Sequence, residues 1–318
     1  MSRLSTFVLA LSLTGTSPAF AQAPHPPMGT ARGPQRPAPD GADLQRDLRV
    51  KTAFYLEEAA VTLDGVLGYA IVDLTDGDAF EHMSTQPFPT ASTIKLAILY
   101  ELAKRAADGT VKLDETITLD RGRAVPGGLL YELGTPTLSL RDYANAMVIE
   151  SDNTATNVLI TRLGMDAINT RMAGLGLDSI KLRRHMIDIE AARKGLENVA
   201  SPADLARLLA VFHRGEGLTP ATQTEALTIL KKGKNTAIRR GVPAGVEIAS
   251  KPGSLEGVCA DTAIVYAKNR PFVIVVMATY LRDENAGEKA IERIATVAHN
   301  YFARLGAAAP ATGRLLYR

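Results

Sequence analysis

The segment Pro89-Thr90-Ala91-Ser92-Thr93-Ile94-Lys95-Leu96 sets a serine and a lysine three residues apart at the start of a helix. From Ile94 onward the apolar residues fall at Ile94, Ala97, Ile98 and Leu102, which is helical spacing. Pro89 prevents the helix from extending backwards, so its first turn is expected near Ser92. Residues at i and i+3 project from one helix face, so Ser92 and Lys95 can touch. A serine hydroxyl is a weak nucleophile until a neighbouring base takes its proton, and an amine of lowered pKa can be that base. The free N–H groups and positive dipole end of a helix N-terminus suit an oxyanion at an attacked carbonyl. Taken alone, Ser-x-x-Lys also describes an ordinary helix cap followed by a surface lysine. The downstream sequence decides between these readings.

The chain has 318 residues, 46% hydrophobic and 22% charged, which places it among globular proteins with a sizeable core. A formal net charge of +2 without a Lys/Arg block gives no reason to expect nucleic acid or an anionic membrane surface as partner. Arg3, the apolar run Phe7 to Leu13 and Ala19-Phe20-Ala21 form the pattern of a cleaved signal peptide over residues 1–21. The run is too short to span a bilayer, so a periplasmic or secreted protein without stable membrane insertion is expected. Six prolines between 22 and 41 imply an extended tether. The catalytic domain is assigned to 42–305, and the Gly/Ala-rich residues 306–318 to a loose tail. One cysteine, Cys259, excludes an internal disulfide.

In order, the pattern predicts a helix from Ala42 to about Leu63 and a strand from Val66 to Leu74. A turn at Thr75-Asp76-Gly77-Asp78 leads into a shorter return strand. Residues 107–138 read as a glycine-containing, loop-rich region. Ser139 with Asp142 caps a helix whose end, Glu150-Ser151-Asp152-Asn153-Thr154, meets the start of another. Ser201-Pro202 and Thr219-Pro220 start two further helices. Val246 to Ser250 reads as a strand, Ala263 to Ala267 with Phe272 to Tyr280 as an antiparallel hairpin, and Ile291 to Phe302 as a closing helix. Strands at both chain ends and helices between them predict an α/β (α+β) fold: one antiparallel sheet flanked by helices, with an inserted all-helical lobe.

Ser92-x-x-Lys95, Ser151-Asp152-Asn153 and Lys251-Pro252-Gly253 therefore stand in order along one chain. This ordered trio resembles the β-lactamase and penicillin-binding protein superfamily, and most closely its class A branch. Ser151 to Asn157 and Val242-Pro243-Ala244-Gly245 extend the similarity. The resemblance implies a serine hydrolase of the β-lactamase/transpeptidase-like fold, acting through an acyl-enzyme on Ser92, with Lys95 as base or relay. A nearby cation, Lys251, would lower the pKa of Lys95, and Lys251 and Gly253 would also help bind the substrate. Ser151 would pass a proton to the leaving nitrogen, Asn153 would hold the substrate amide, and the N–H groups of Ser92 and Ser254 would form the oxyanion hole. The expected partner is a small-molecule β-lactam or a peptidoglycan-like peptide, acted on by a monomer. The five histidines show no ligand spacing, and neither metal nor cofactor is implied.

Two positions depart from the family pattern. Pro252 replaces the threonine of Lys-Thr-Gly, which leaves Ser254, Arg239 or Arg240 as candidates to bind a substrate carboxylate. The Glu-x-x-Leu-Asn motif that activates the deacylating water is absent. The corresponding stretch, Arg184 to Glu190, offers His185, Asp188 and Glu190, with Asp188 preferred by position. A penicillin-binding-protein-like D-alanyl-D-alanine carboxypeptidase or esterase, or a covalent β-lactam receptor with little turnover, is the competing expectation.

Overall fold

A computed structural model describes residues 41–232 and 235–316. The expected signal peptide and nearly all of the tether lie outside the described residues. Helix α1 (Ala42–Val61) leads into strands β1 (Val66–Asp73), β2 (Ala79–His82) and β3 (Phe88–Pro89). A 3₁₀ turn over Ala91–Ile94 runs straight into α2 (Lys95–Ala107). The loop-rich region holds β4 (Thr116–Thr118) and β5 (Thr137–Ser139), paired with each other, and then come α3 (Leu140–Ile149), α4 (Asn153–Leu163) and α5 (Met165–Gly174). After α6 (Ile189–Arg193) and β6 (Val199–Ala200) the chain forms α7 (Pro202–Arg214), α8 (Pro220–Lys231) and α9 (Ala237–Gly241). It closes with β7 (Ile248–Ser250), β8 (Gly253–Leu255), β9 (Val258–Val265), β10 (Phe272–Thr279) and α10 (Glu284–Ala307).

The main sheet is antiparallel in the order β2-β1-β10-β9-β7, with β8 also pairing with β9, so both chain ends supply its strands. Strand β10 is central and buried on both faces. Val273, Val275 and Met277 enter the core shared with the helical lobe, while Ile274, Val276 and Ala278 enter the core beneath α1 and α10. That is the period of two expected when both faces of a strand are covered. On α10, Ile291, Ile294, Tyr301 and Phe302 are buried, and each such side chain contributes about 1.5–3 kcal/mol by leaving water. The β9–β10 hairpin starts five residues earlier than the β-rich run suggested, because β9 carries Asp261 and Thr262 within an otherwise apolar strand. Beyond residue 305, where a loose tail was expected, α10 continues to Ala307. The chain then turns back, with Ala308 bridged to Leu315.

Candidate active site

Three elements converge on Ser92. It lies in the 3₁₀ turn, just after Ala91, whose φ of 46° is rare for a non-glycine residue. Lys95 is the first residue of α2 and is fully buried. Ser151, between α3 and α4, also has a positive φ, 55°. Strained backbone at Ala91, next to the nucleophile, and at Ser151 is the sort of conformation that persists only when its surroundings impose it.

The side chains form one hydrogen-bonded cluster. Lys95 Nζ donates to Ser151 O at 2.6 Å, Ser151 Oγ at 3.1 Å and Asn153 Oδ1 at 3.1 Å. Lys251 Nζ donates to Ser151 Oγ at 3.0 Å and to Pro252 O at 2.9 Å. Ser151 Oγ in turn donates to Ser92 Oγ at 2.9 Å. The lysine that helix spacing pairs with Ser92 is thus joined to it through Ser151.

Burial pushes the Lys95 amine down to about 7, and Asp152 opposes part of that shift. The sequence reading gave this role to the charge of Lys251; removal from water is the cause. Asp152 is itself fully buried. Its carboxylate accepts from Ala155 N, capping α4, and from Leu130 N, fixing the loop after Gly128. A Cβ on Gly128 would lie 2.2 Å from Asp152 Oδ2 at a φ of 153°, so only glycine lets this loop approach. Asn153 Nδ2 donates to Pro126 O and its Oδ1 accepts a hydrogen bond from Lys95 Nζ, so its amide holds the cleft together.

Strand β8 forms the opposite wall. A Cβ on Gly253 would lie 2.6 Å from Ser92 N, so the glycine of Lys251-Pro252-Gly253 is what allows the sheet edge to approach the nucleophile's backbone. Ser254 follows on the same strand, its side chain exposed, and lines a cleft of about 440 Å³ with Ser92, Ser151, Asn153 and Gly253.

Five expected candidates are placed elsewhere. The Arg239 guanidinium donates to the carbonyls of Val246, Val242 and Pro243, tying down the turn between α9 and β7. Arg240 pairs with Glu288 and Glu292 of α10. Neither arginine lines the cleft. Asp188 is exposed and caps the short helix α6 by accepting from Ala191 N, and Glu190 is exposed on that helix. His185 lines a separate cavity with Asn157 and Arg162.

The loop bearing these residues is held by groups that sequence reasoning missed. Asn157 Nδ2 donates to Met186 O, and Met186 N donates back to Asn157 Oδ1. The buried Asn198 accepts from Arg183 N and Arg184 N, and Arg184 pairs with Glu197 at 2.7 Å. Met186 is buried in the helical-lobe core, so an apolar thioether occupies the inward position of this loop. The signal was present in Asn157 and Asn198, which are polar residues set among apolar ones. Among the described residues no group of three or more His, Cys, Asp or Glu is placed to hold a metal, and no helix is long and apolar enough to cross a membrane.

Comparison with known proteins agrees with this geometry. A sequence profile described as the Beta-lactamase enzyme family matches residues 54–302. The chain is 25% identical over 249 residues to β-lactamase PSE-4 of Pseudomonas aeruginosa, covering 76% of this chain and 86% of that protein. It is 27% identical to an imipenem-hydrolysing β-lactamase of Enterobacter cloacae, covering 68% and 77%. Among solved structures it is similar to a β-lactamase from Sphaerobacter thermophilus, with a TM-score of 0.71, 32% identity and coverage of 78% and 95%. It is also similar to PBP-A, with a TM-score of 0.74, 26% identity and coverage of 79% and 96%. With the profile spanning most of its length and the Ser92, Lys95, Ser151 and Lys251 cluster assembled as described, the chain belongs to the β-lactamase enzyme family.

Proposed function

We propose that this protein is a class A β-lactamase-like serine hydrolase that opens β-lactams through an acyl-enzyme on Ser92. The observation that carries the reading is the Ser151 hydroxyl, which bridges Ser92 to both lysines. With its pKa near 7, a large share of Lys95 is neutral at physiological pH and holds a lone pair. As Ser92 Oγ attacks the lactam carbonyl, its proton moves to Ser151 Oγ, whose own proton moves to Lys95 Nζ. The tetrahedral oxyanion rests on the N–H groups of Ser92 and Ser254. On collapse the C–N bond breaks and the nitrogen takes a proton back through Ser151. Water then cleaves the ester and restores Ser92.

A second reading is favoured by the loop, which puts Met186 inward and leaves Asp188 and Glu190 in solvent: an acyl-enzyme that forms readily and turns over slowly. A structure of a PBP-A variant captured as an acyl-enzyme complex with penicillin G shares this fold at 26% identity and a TM-score of 0.74. Export by way of residues 1–21 and a tether over 22–41 belongs to the same proposal and rests on sequence alone. Time-resolved intact-mass measurement with a penicillin tests both readings. A transient adduct on Ser92 supports hydrolysis, a lasting one supports slow turnover, and no adduct removes the acyl-enzyme reading.

A further inference from the structure

Strand β9 is apolar except for Asp261 and Thr262, and these two residues stand opposite the gap between β7 and β8. Ser250 pairs with Ala263 and Gly253 with Ala260, so one register runs through the gap and sets Lys251 against Thr262 and Pro252 against Asp261. In a regular antiparallel ladder a hydrogen-bonded pair exchanges two backbone bonds. Here Lys251 N donates to Thr262 O at 2.9 Å, but the return bond comes from a side chain, Thr262 Oγ1 donating to Lys251 O at 2.8 Å. Thr262 N turns instead to Asp261 Oδ1 at 2.9 Å. The other Asp261 oxygen accepts from Ile238 N of α9 at 2.9 Å, which fixes the carboxylate between two elements.

The backbone of Lys251 is thus held on both sides by Thr262, and all three residues, Lys251, Asp261 and Thr262, are buried. Pro252 falls at a non-hydrogen-bonded position of the register, where its missing N–H removes no rung to β9. From this clamped backbone the Lys251 side chain reaches Ser151 Oγ at 3.0 Å and Pro252 O at 2.9 Å. A shift of the Lys251 backbone is therefore carried to the hydroxyl that bridges Ser92 and Lys95. Misplacement by about 1 Å in such a constellation costs on the order of 10²-fold in rate.

We infer that Thr262 is a positioning residue of the acylation step: its hydroxyl stands in for a backbone rung and thereby sets Lys251 Nζ on Ser151 Oγ. The inference rests on the Ser92 acyl-enzyme reading and adds to that site a residue outside its three motifs. Without the hydroxyl, the nearest donor for Lys251 O is the N–H of residue 262 itself, and capture by it draws Lys251 towards β9 and away from Ser151.

The test is second-order acylation of Ser92 by benzylpenicillin, followed by intact mass in the full chain at neutral pH. Thr262→Val keeps the side-chain shape and removes the hydroxyl, and it is expected to slow acylation by roughly tenfold or more. Thr262→Ser, which restores the donor, should stay within about twofold of the parent. In a Lys251→Ala background Thr262→Val should add less than about twofold, because an effect exerted through Lys251 has nothing left to act on. Thr262→Ala is read in the same way where the valine variant does not fold. Parent-like acylation in Thr262→Val, a slow Thr262→Ser, or an equal loss with and without Lys251 would each overturn the inference and leave the acyl-enzyme reading standing. A parent protein that benzylpenicillin does not label would remove both.

Discussion

Ser151 Oγ lies 2.9 Å from Ser92 Oγ and donates to it, while accepting from Lys95 Nζ and Lys251 Nζ. Among the described residues, the hydroxyl of Ser151 is therefore the side-chain hydrogen-bond link between Lys95 and the nucleophile. Ser151→Gly removes that hydroxyl while accepting the positive φ, so it separates proton transfer from backbone shape. Acylation by a penicillin is expected to slow by roughly 10²-fold or more, with the melting temperature near that of the parent. Ser92→Ala should abolish covalent labelling altogether. Parent-like acylation in Ser151→Gly would show that Lys95 reaches Ser92 by another route.

The depressed Lys95 pKa gives a pH dependence with a definite sign. Acylation requires the neutral amine, so its rate should rise about tenfold per pH unit on the acid side and level off above about 7. For stability, the folded-state pKa lies below the ordinary lysine value of 10.5. Between about 7 and 10.5 the unfolded chain binds a proton that the folded protein lacks, so this group's contribution improves as pH rises through that window. Lys95→Met, which cannot titrate, should therefore gain more in melting temperature over the parent at pH ~7 than at pH ~10, while losing activity. Thermal scans at both pH values check this; an equal difference at the two would refute the neutral, buried state of Lys95.

The architecture was legible because its signals are local. The Ser92 helix, the Ser151 junction and the β9–β10 hairpin each follow from apolar period, caps and turns within a short window. The cluster around Ser92 was legible because three motifs at residues 92, 151 and 251 are tied to one chemistry. Arg239 and Arg240 were misplaced because a guanidinium's partners are tertiary: here the carbonyls of Val242, Pro243 and Val246, and the α10 carboxylates. Asp188 was misplaced because counting back from Pro202 gives the loop but not which of its side chains turn inward.

Gly128 tests how tightly the loop must approach Asp152. Gly128→Ala places a methyl 2.2 Å from Asp152 Oδ2 and demands a φ of 153°, so a loss of about 3 kcal/mol is expected. Gly109 is the control: its φ is 71° and a Cβ there meets nothing within 4 Å, so Gly109→Ala should cost about 1 kcal/mol from backbone strain alone. Denaturant unfolding of the two variants gives the comparison. Similar losses would mean that packing against Asp152 is not what demands glycine at 128.

In the proposed acyl-enzyme mechanism, the loop between Arg184 and Asn198 is where the family resemblance places the base for deacylation. Asp188 and Glu190 are the carboxylates that sequence placed there, yet both face solvent, and Asp188 is occupied as the cap of α6. Asp188→Asn and Glu190→Gln should therefore show the burst size and steady-state turnover of the parent. Asn157 differs, because its amide makes both hydrogen bonds that hold the loop backbone at Met186 to α4. Asn157→Ala leaves a buried N–H and a carbonyl without partners, which costs on the order of 1–3 kcal/mol each. That variant is expected to change the lifetime of the Ser92 adduct more than the rate of its formation, since the Ser92–Ser151–Lys95 contacts do not pass through Asn157. Pre-steady-state intact-mass kinetics separate the two rates. Accumulation of adduct in Asp188→Asn but not in the parent would return the role of base to that carboxylate, and the loop would then have to adopt a different arrangement once Ser92 is acylated.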